Sequence, residues 1–159
     1  MKAIVVDSRE TRPLKFSLCG IEILKRAIPT GDYTAIHDNG KEDNAVIERK
    51  SIADLYGSYG GKGYVRERNK IKKAKDMGLK FILAIEGTAW DVRKGHEYFS
   101  RGELRQSKRN GLSMVRQLMS ISRKYDIEVW FCNGREDMAF RIEEYFLAQE
   151  RLMEKRGKK

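Results

Sequence analysis

No stretch of the 159 residues is apolar for long enough to cross a membrane; the ~18 residues that a spanning helix needs are never approached. The opening Met1-Lys2-Ala3-Ile4-Val5-Val6-Asp7 lacks the charged-then-apolar pattern of a secretory leader and runs straight into a buried-strand pattern. A cytoplasmic or nucleoid-associated protein is therefore expected. Cysteine is scarce: Cys19 and Cys132 stand far apart, with no CxxC and no Cys/His cluster near either. That argues for two reduced core thiols and against a structural zinc site. Repeats, low-complexity segments and proline-rich linkers are also missing. One domain around one sizeable core is expected, over residues 1–150, with a basic tail over 151–159.

Positive charge, by contrast, is plentiful. Lys and Arg number 33 against 23 Asp and Glu, a formal net charge of +10. Such a potential draws polyanions, of which nucleic acid is the commonest. The charge is uneven along the chain. Lys62, Arg66, Arg68, Lys70, Lys72, Lys73 and Lys75 face only Glu67 and Asp76, and a second basic stretch runs from Arg93 to Arg116.

Strands and helices alternate in the pattern. Lys2 to Val6 reads as a strand, Ile21 to Ile28 as a weaker one, and Tyr33 onward and Ala45 onward as two arms of a hairpin around Asn39-Gly40. Ser51 can cap a helix, with Asp54 in the place of the capping-box acid. The glycines between Gly57 and Gly63 break that helix, and Tyr64 to Met77 forms a basic one that Gly78 ends. Lys80 to Glu86 and Ile127 to Cys132 are strands; Leu112 to Ile121 and Met138 to Leu152 carry helical apolar faces. An α/β fold on a mixed sheet follows.

Hydrolysis of a phosphodiester needs charge neutralised on the phosphate, water made nucleophilic and the leaving oxygen stabilised. A carboxylate pair holding Mg²⁺ meets most of these needs, and a nearby Lys can orient or deprotonate the water or stabilise charge. Glu48 and Lys50 are two apart on an extended strand, so both point to one face and Arg49 to the other. Asp32 comes from the far side of the hairpin and can converge on that face. Glu-x-Lys alone is common on solvent-facing strand edges; the upstream Gly31-Asp32, the hairpin and the capped helix are what lift it above that.

The string Gly31-Asp32, a spacer, Glu48-Arg49-Lys50, three residues and Asp54 resembles the nuclease signature of the XPF family, a branch of the PD-(D/E)xK superfamily. Val5-Val6-Asp7-Ser8-Arg9-Glu10 and Phe81-Ile82-Leu83-Ala84-Ile85-Glu86 are similar to other segments of that family, and the likeness runs over nearly the whole chain. It implies a restriction-endonuclease-like, three-layer fold: a central mixed β-sheet flanked by helices. It implies a DNA endonuclease that uses Mg²⁺, with Mn²⁺ able to substitute, and no small-molecule cofactor. Asp32, Glu48 and Asp7 would hold the metal, and Lys50 would act on the water or the charge. Arg9 and Arg49 would bind phosphate or brace the acids, Arg49 within the catalytic set. Arg66, with Lys62, Arg68 and Lys72 of the basic helix, would contact DNA. Glu86 has a modest claim as a supporting group.

Two departures stand out. The spacer between Asp32 and Glu48 is fifteen residues, long for the family; its hairpin, with His37, reads as a surface elaboration. His96 reads as loop. No segment looks like the helix-hairpin-helix module that relatives append. Preference for branched DNA, the leading expectation, would then need a second copy, a partner subunit or a longer parent chain. The exposed-looking apolar residues Phe140, Tyr145, Phe146 and Leu147 fit either a subunit interface or a helix packed between layers. A restriction- or resolvase-type enzyme and a non-catalytic scaffold subunit are the alternatives.

Overall fold

A computed structural model describes residues 1–17, 20–59, 62–95, 97–100, 102–106 and 110–157. The readings of Cys19 and His96, and of the Lys62 side chain, lie outside the described residues.

Three layers form around one sheet. Its strands are β1 (Ala3–Asp7), β2 (Glu22–Arg26), β3 (Tyr33–Ile36), β4 (Ala45–Ser51), β5 (Lys80–Glu86) and, after a small hairpin of β6 (Glu97–Ser100) and β7 (Glu103–Gln106), β8 (Glu128–Cys132). They lie in the order β2-β1-β3-β4-β5-β8. β1–β3 and β3–β4 are antiparallel; β1–β2, β4–β5 and β5–β8 are parallel. The sheet is mixed, as the alternation of strand and helix patterns implied.

Period-two alternation in β4 and β5 sets the layers. Ile47, Ile82 and Ala84 face α5 (Gly134–Gly157), packing with its Met138, Ala139, Ile142 and Phe146. Val46, Phe81, Leu83 and Ile85 face the other way. There they meet α1 (Ile52–Ser58), α2 (Lys62–Asp76), α3 (Ala89–Lys94) and α4 (Gly111–Tyr125) through Leu55, Ile71, Val92 and Met114. Each fully buried aliphatic side chain contributes about 1.5–3 kcal/mol relative to exposure.

Ser51 caps α1 as its sequence announced: its Oγ accepts from Asp54 N at 3.1 Å and donates to Asp54 Oδ2 at 2.7 Å. The stretch after Trp90 holds the rest of α3 and, from Glu97, the β6–β7 hairpin. α3 is too short to show a period, though Thr88 and Asp91 close a capping box at its start. α5 spans residue 150 and runs to Gly157.

The hairpin around Gly40 is also no mere surface elaboration. His37 is buried, its Nε2 lies 2.9 Å from Asp43 Oδ2, and its Nδ1 faces Glu150 of α5. Glu150 accepts from Asp38 N at 2.8 Å and pairs with the Met1 ammonium, so the loop and the first residue are tied to the last helix. Phe146 is buried, which fits the reading of α5 as a layer, while Phe140 remains 58% exposed.

Candidate active site

Gly31 fixes where Asp32 stands. Its φ is +82°, and a Cβ there would lie 3.1 Å from Val46 Cβ and 3.3 Å from Ile47 O. Only glycine takes that conformation cheaply with a strand backbone so near. Asp32 then bridges two strands through its backbone: its N–H donates to Ile47 O, and its carbonyl accepts from Asp7 N, each at 2.8 Å. Its carboxylate Oδ2 accepts from Arg49 N at 2.7 Å. A Gly31→Ala variant is expected to lose about 1–3 kcal/mol in urea denaturation and most of any activity that depends on Asp32. Wild-type stability in that variant would show that the position is less constrained than this.

Glu48 and Lys50 share the α2 face of β4, and Arg49 lies on the other, as period two requires. Glu48 is 2% exposed; its Oε1 receives Lys50 Nζ at 2.9 Å and Lys70 Nζ at 2.5 Å, while its buried Oε2 has no partner. Lys50 Nζ also reaches Glu67 Oε1 at 3.0 Å. Burial opposes its charge, yet Glu48 and Glu67 outweigh that and raise its pKa above the ordinary lysine value. As held here Lys50 is an ammonium. Glu48 and Glu67 hold that charge in place.

Burial pushes the Asp32 carboxyl up to about 7, helped by the charge of Glu48 and opposed by the Arg49 N–H. Two carboxylates that cannot comfortably be ionised together, one with an orphaned oxygen, are a donor set for a divalent cation. Asp7 is arranged differently. Burial works against its charge, but Arg9 and the Ile28 N–H overcome it and hold the carboxyl at about 2. Its Oδ1 takes Arg9 N and Nε, and its Oδ2 takes Arg9 Nη2 and Ile28 N. Among the described residues no group of three His, Cys, Asp or Glu side chains is set to hold a metal.

Arg49 bridges acids rather than opening to solvent. Its Nε donates to Glu10 Oε2 at 3.1 Å and its Nη1 to Glu86 Oε1 at 2.7 Å, and Glu86 also takes Arg135 Nη1 at 2.7 Å. Of the two roles expected for Arg9 and Arg49, bracing is the one the geometry displays.

A cleft of about 450 Å³ opens over the acids, lined by Asp7, Arg9, Thr30, Asp32, Arg66, Asn69, Lys70 and Lys73 among others. Arg66 and Arg9, both expected to contact DNA, line this cleft. Arg68 instead stands over the Tyr64 ring at 6.0 Å, and Lys72 is exposed outside the cleft. Lys70, Lys73 and Glu67 were missed. The signal was present: Arg66, Lys70 and Lys73 follow the i, i+4, i+7 rule for one face, and Glu67, Ile71 and Ala74 follow it for the buried face.

The ERCC4 domain family model matches residues 6–143. XPF from Aeropyrum pernix superimposes with a TM-score of 0.62 at 20% identity, over 98% of this chain and 69% of that one. The same protein in complex with DNA gives 0.64 at 19% identity, over 98% and 66%. At such identities the likeness shows the α/β fold. No curated protein matches the chain.

Proposed function

This chain belongs to the ERCC4 domain family, and on that premise we propose that it is a metal-dependent DNA endonuclease acting on branched DNA such as flaps, forks or recombination intermediates. One observation carries the reading: Glu48 has a buried oxygen with no hydrogen-bond partner among the described residues, and Asp32, on which its charge acts, lines a cleft whose rim is basic. Asp32 and Glu48 would hold Mg²⁺ or Mn²⁺, which supplies a Lewis acid and a water of lowered pKa. Lys50, fixed by Glu67, places a positive charge beside the reacting phosphate. Arg66, Lys70 and Lys73 bind the phosphates on either side. The DNA-bound state of a structurally similar protein supports the substrate class, and branch preference rests on family likeness. The chain spans 66–69% of those chains' length, and selectivity would come from a second copy, a partner subunit or a longer parent chain; exposed Phe140 on α5 offers a surface for the first two. No helix among the described residues is long and apolar enough to cross a membrane.

Labelled duplex, single-stranded, flap and four-way-junction DNA incubated with the purified protein in Mg²⁺, Mn²⁺ or EDTA tests this. Cleavage should need metal, favour a branched substrate and vanish in Glu48→Gln. Cutting in EDTA, or an active variant, would sink the mechanism; no cutting at all would favour a scaffold. Affinity for DNA should also fall steeply with salt, by one power of concentration for roughly every phosphate neutralised.

Lys70 Nζ takes Glu48 Oε1, an oxygen that a bound metal would also use. Lys70→Gln should therefore bind Mn²⁺ more tightly, by about threefold to tenfold in calorimetry, while its metal-free form melts lower. Weaker metal binding in this variant would show that Lys70 assists the site rather than competing for it.

A further inference from the structure

α3 is pinned from every side. Thr88 and Asp91 close its capping box, and Tyr56 Oη donates to Val92 O at 2.6 Å. Gly95 ends it close against Ile52 and Tyr56, and Gly111 of α4 lies on the Arg93 carbonyl. On this fixed base Trp90 is 55% exposed. The Arg93 guanidinium stands 4.9 Å from the indole centroid and the Lys94 ammonium 5.1 Å. Phe140, the other large aromatic exposed among the described residues, carries no such cations.

The place matters as much as the composition. β4 and β5 are parallel with Ser51 opposite Glu86, so α1 and α3 leave the sheet at the same edge. Trp90 follows Glu86 by four residues, and Glu86 holds Arg49, the neighbour of Glu48. The residue is thus on the strand-end side of the sheet that carries the acids.

We propose that Trp90, Arg93 and Lys94 form a single-strand subsite, where an unpaired base stacks on the indole and the two cations take the flanking phosphates. The inference rests on the DNA-acting reading above and adds to it a separate contact for the unpaired arm of a branched substrate. Indole stacks on any base, and its energy is available only where the base is not already paired. Arg93 and Lys94 sit three and four residues after Trp90, beside it on the helix surface, and can pivot from the ring to phosphate as the base arrives. A protein partner is the less favoured occupant, because interface centres are depleted in lysine and other charged side chains.

Trp130→Phe leaves Trp90 as the sole tryptophan, and adding Asp32→Asn prevents cleavage during titration. A short oligothymidylate should quench the Trp90 emission saturably. Trp90→Ala should weaken oligothymidylate binding about tenfold, Trp90→Phe should restore most of it, and duplex affinity should stay within twofold. Equal losses for both DNA forms would overturn the subsite, reducing it to general phosphate attraction. Duplex binding with unresponsive Trp90 emission would overturn this inference alone and point to a protein-docking patch. Failure to bind either DNA would remove the underlying DNA reading as well.

Discussion

Asp32→Asn is expected to abolish strand cleavage and, in the same protein, to raise the melting temperature of the metal-free form. The activity loss should exceed about 10³-fold, roughly 4 kcal/mol of barrier, because the substitution removes half of the carboxylate pair. The stability gain follows from the carboxyl's folded-state pKa, pushed up by burial and by Glu48 to about 7 from an ordinary 3.8. A raised acid contributes stability that is complete below its unfolded pKa and is lost as pH rises through the folded one. At pH 8 the wild type therefore carries an ionised Asp32 that its surroundings disfavour. Asn keeps an oxygen to accept the Arg49 N–H and carries no charge. Scanning calorimetry in EDTA at pH 8 should show a gain of about 1–2 kcal/mol, or ~3–6 °C, shrinking as pH falls below 7 and vanishing only below the unfolded carboxyl's 3.8. Excess Mn²⁺ should reverse the order by stabilising only the wild type. A variant less stable than wild type at pH 8 would mean that Asp32 is not strained by its neighbour.

The second large effect concerns packing. In Gly111→Ala the new Cβ would fall 1.6 Å from Arg93 O and 2.1 Å from Arg93 C, both backbone atoms. Neither side can yield easily: α4 is anchored by Met114 and Leu118 in the core, and α3 by its capping box and the Tyr56–Val92 bond. A loss of about 3–5 kcal/mol in urea denaturation is expected, near the top of the range for single substitutions. Gly57→Ala is the matched control. It lies in α1 with open space around its missing Cβ, and should be neutral or up to about 1 kcal/mol stabilising. Similar losses for both would contradict the close α3–α4 approach.

Much of this was written in the chain, and the exceptions have causes. β1, β4, β5 and β8 announce themselves because apolar β-branched runs with a period of two describe a strand completely. The same period puts Glu48 and Lys50 on one face. Lys70 and Glu67 escaped because their roles depend on how α2 lies across the sheet, which is a tertiary matter. Their helical spacing was readable, but not the side of α2 that faces the acids. The expectation for Asp7 carried no hint that Arg9, two residues on, reaches both of its oxygens, because that contact depends on how the chain turns after β1. His37 looked superficial because its loop is polar, and the acid that buries it, Glu150, lies over a hundred residues away.

Among the described helices α5 alone covers one face of the sheet, and it follows every strand of that sheet in chain order. During synthesis Ile4, Val6, Ile47, Ile82 and Ala84 must wait, uncovered, until that helix leaves the ribosome. Contacts of such long sequence separation are slow to form and leave apolar surface open to association in the meantime. The strand that carries the acids has its other face in that same uncovered layer. A still-emerging chain therefore holds Glu48 and Lys50 on an unfinished support, and the proposed activity should arrive only once α5 has docked.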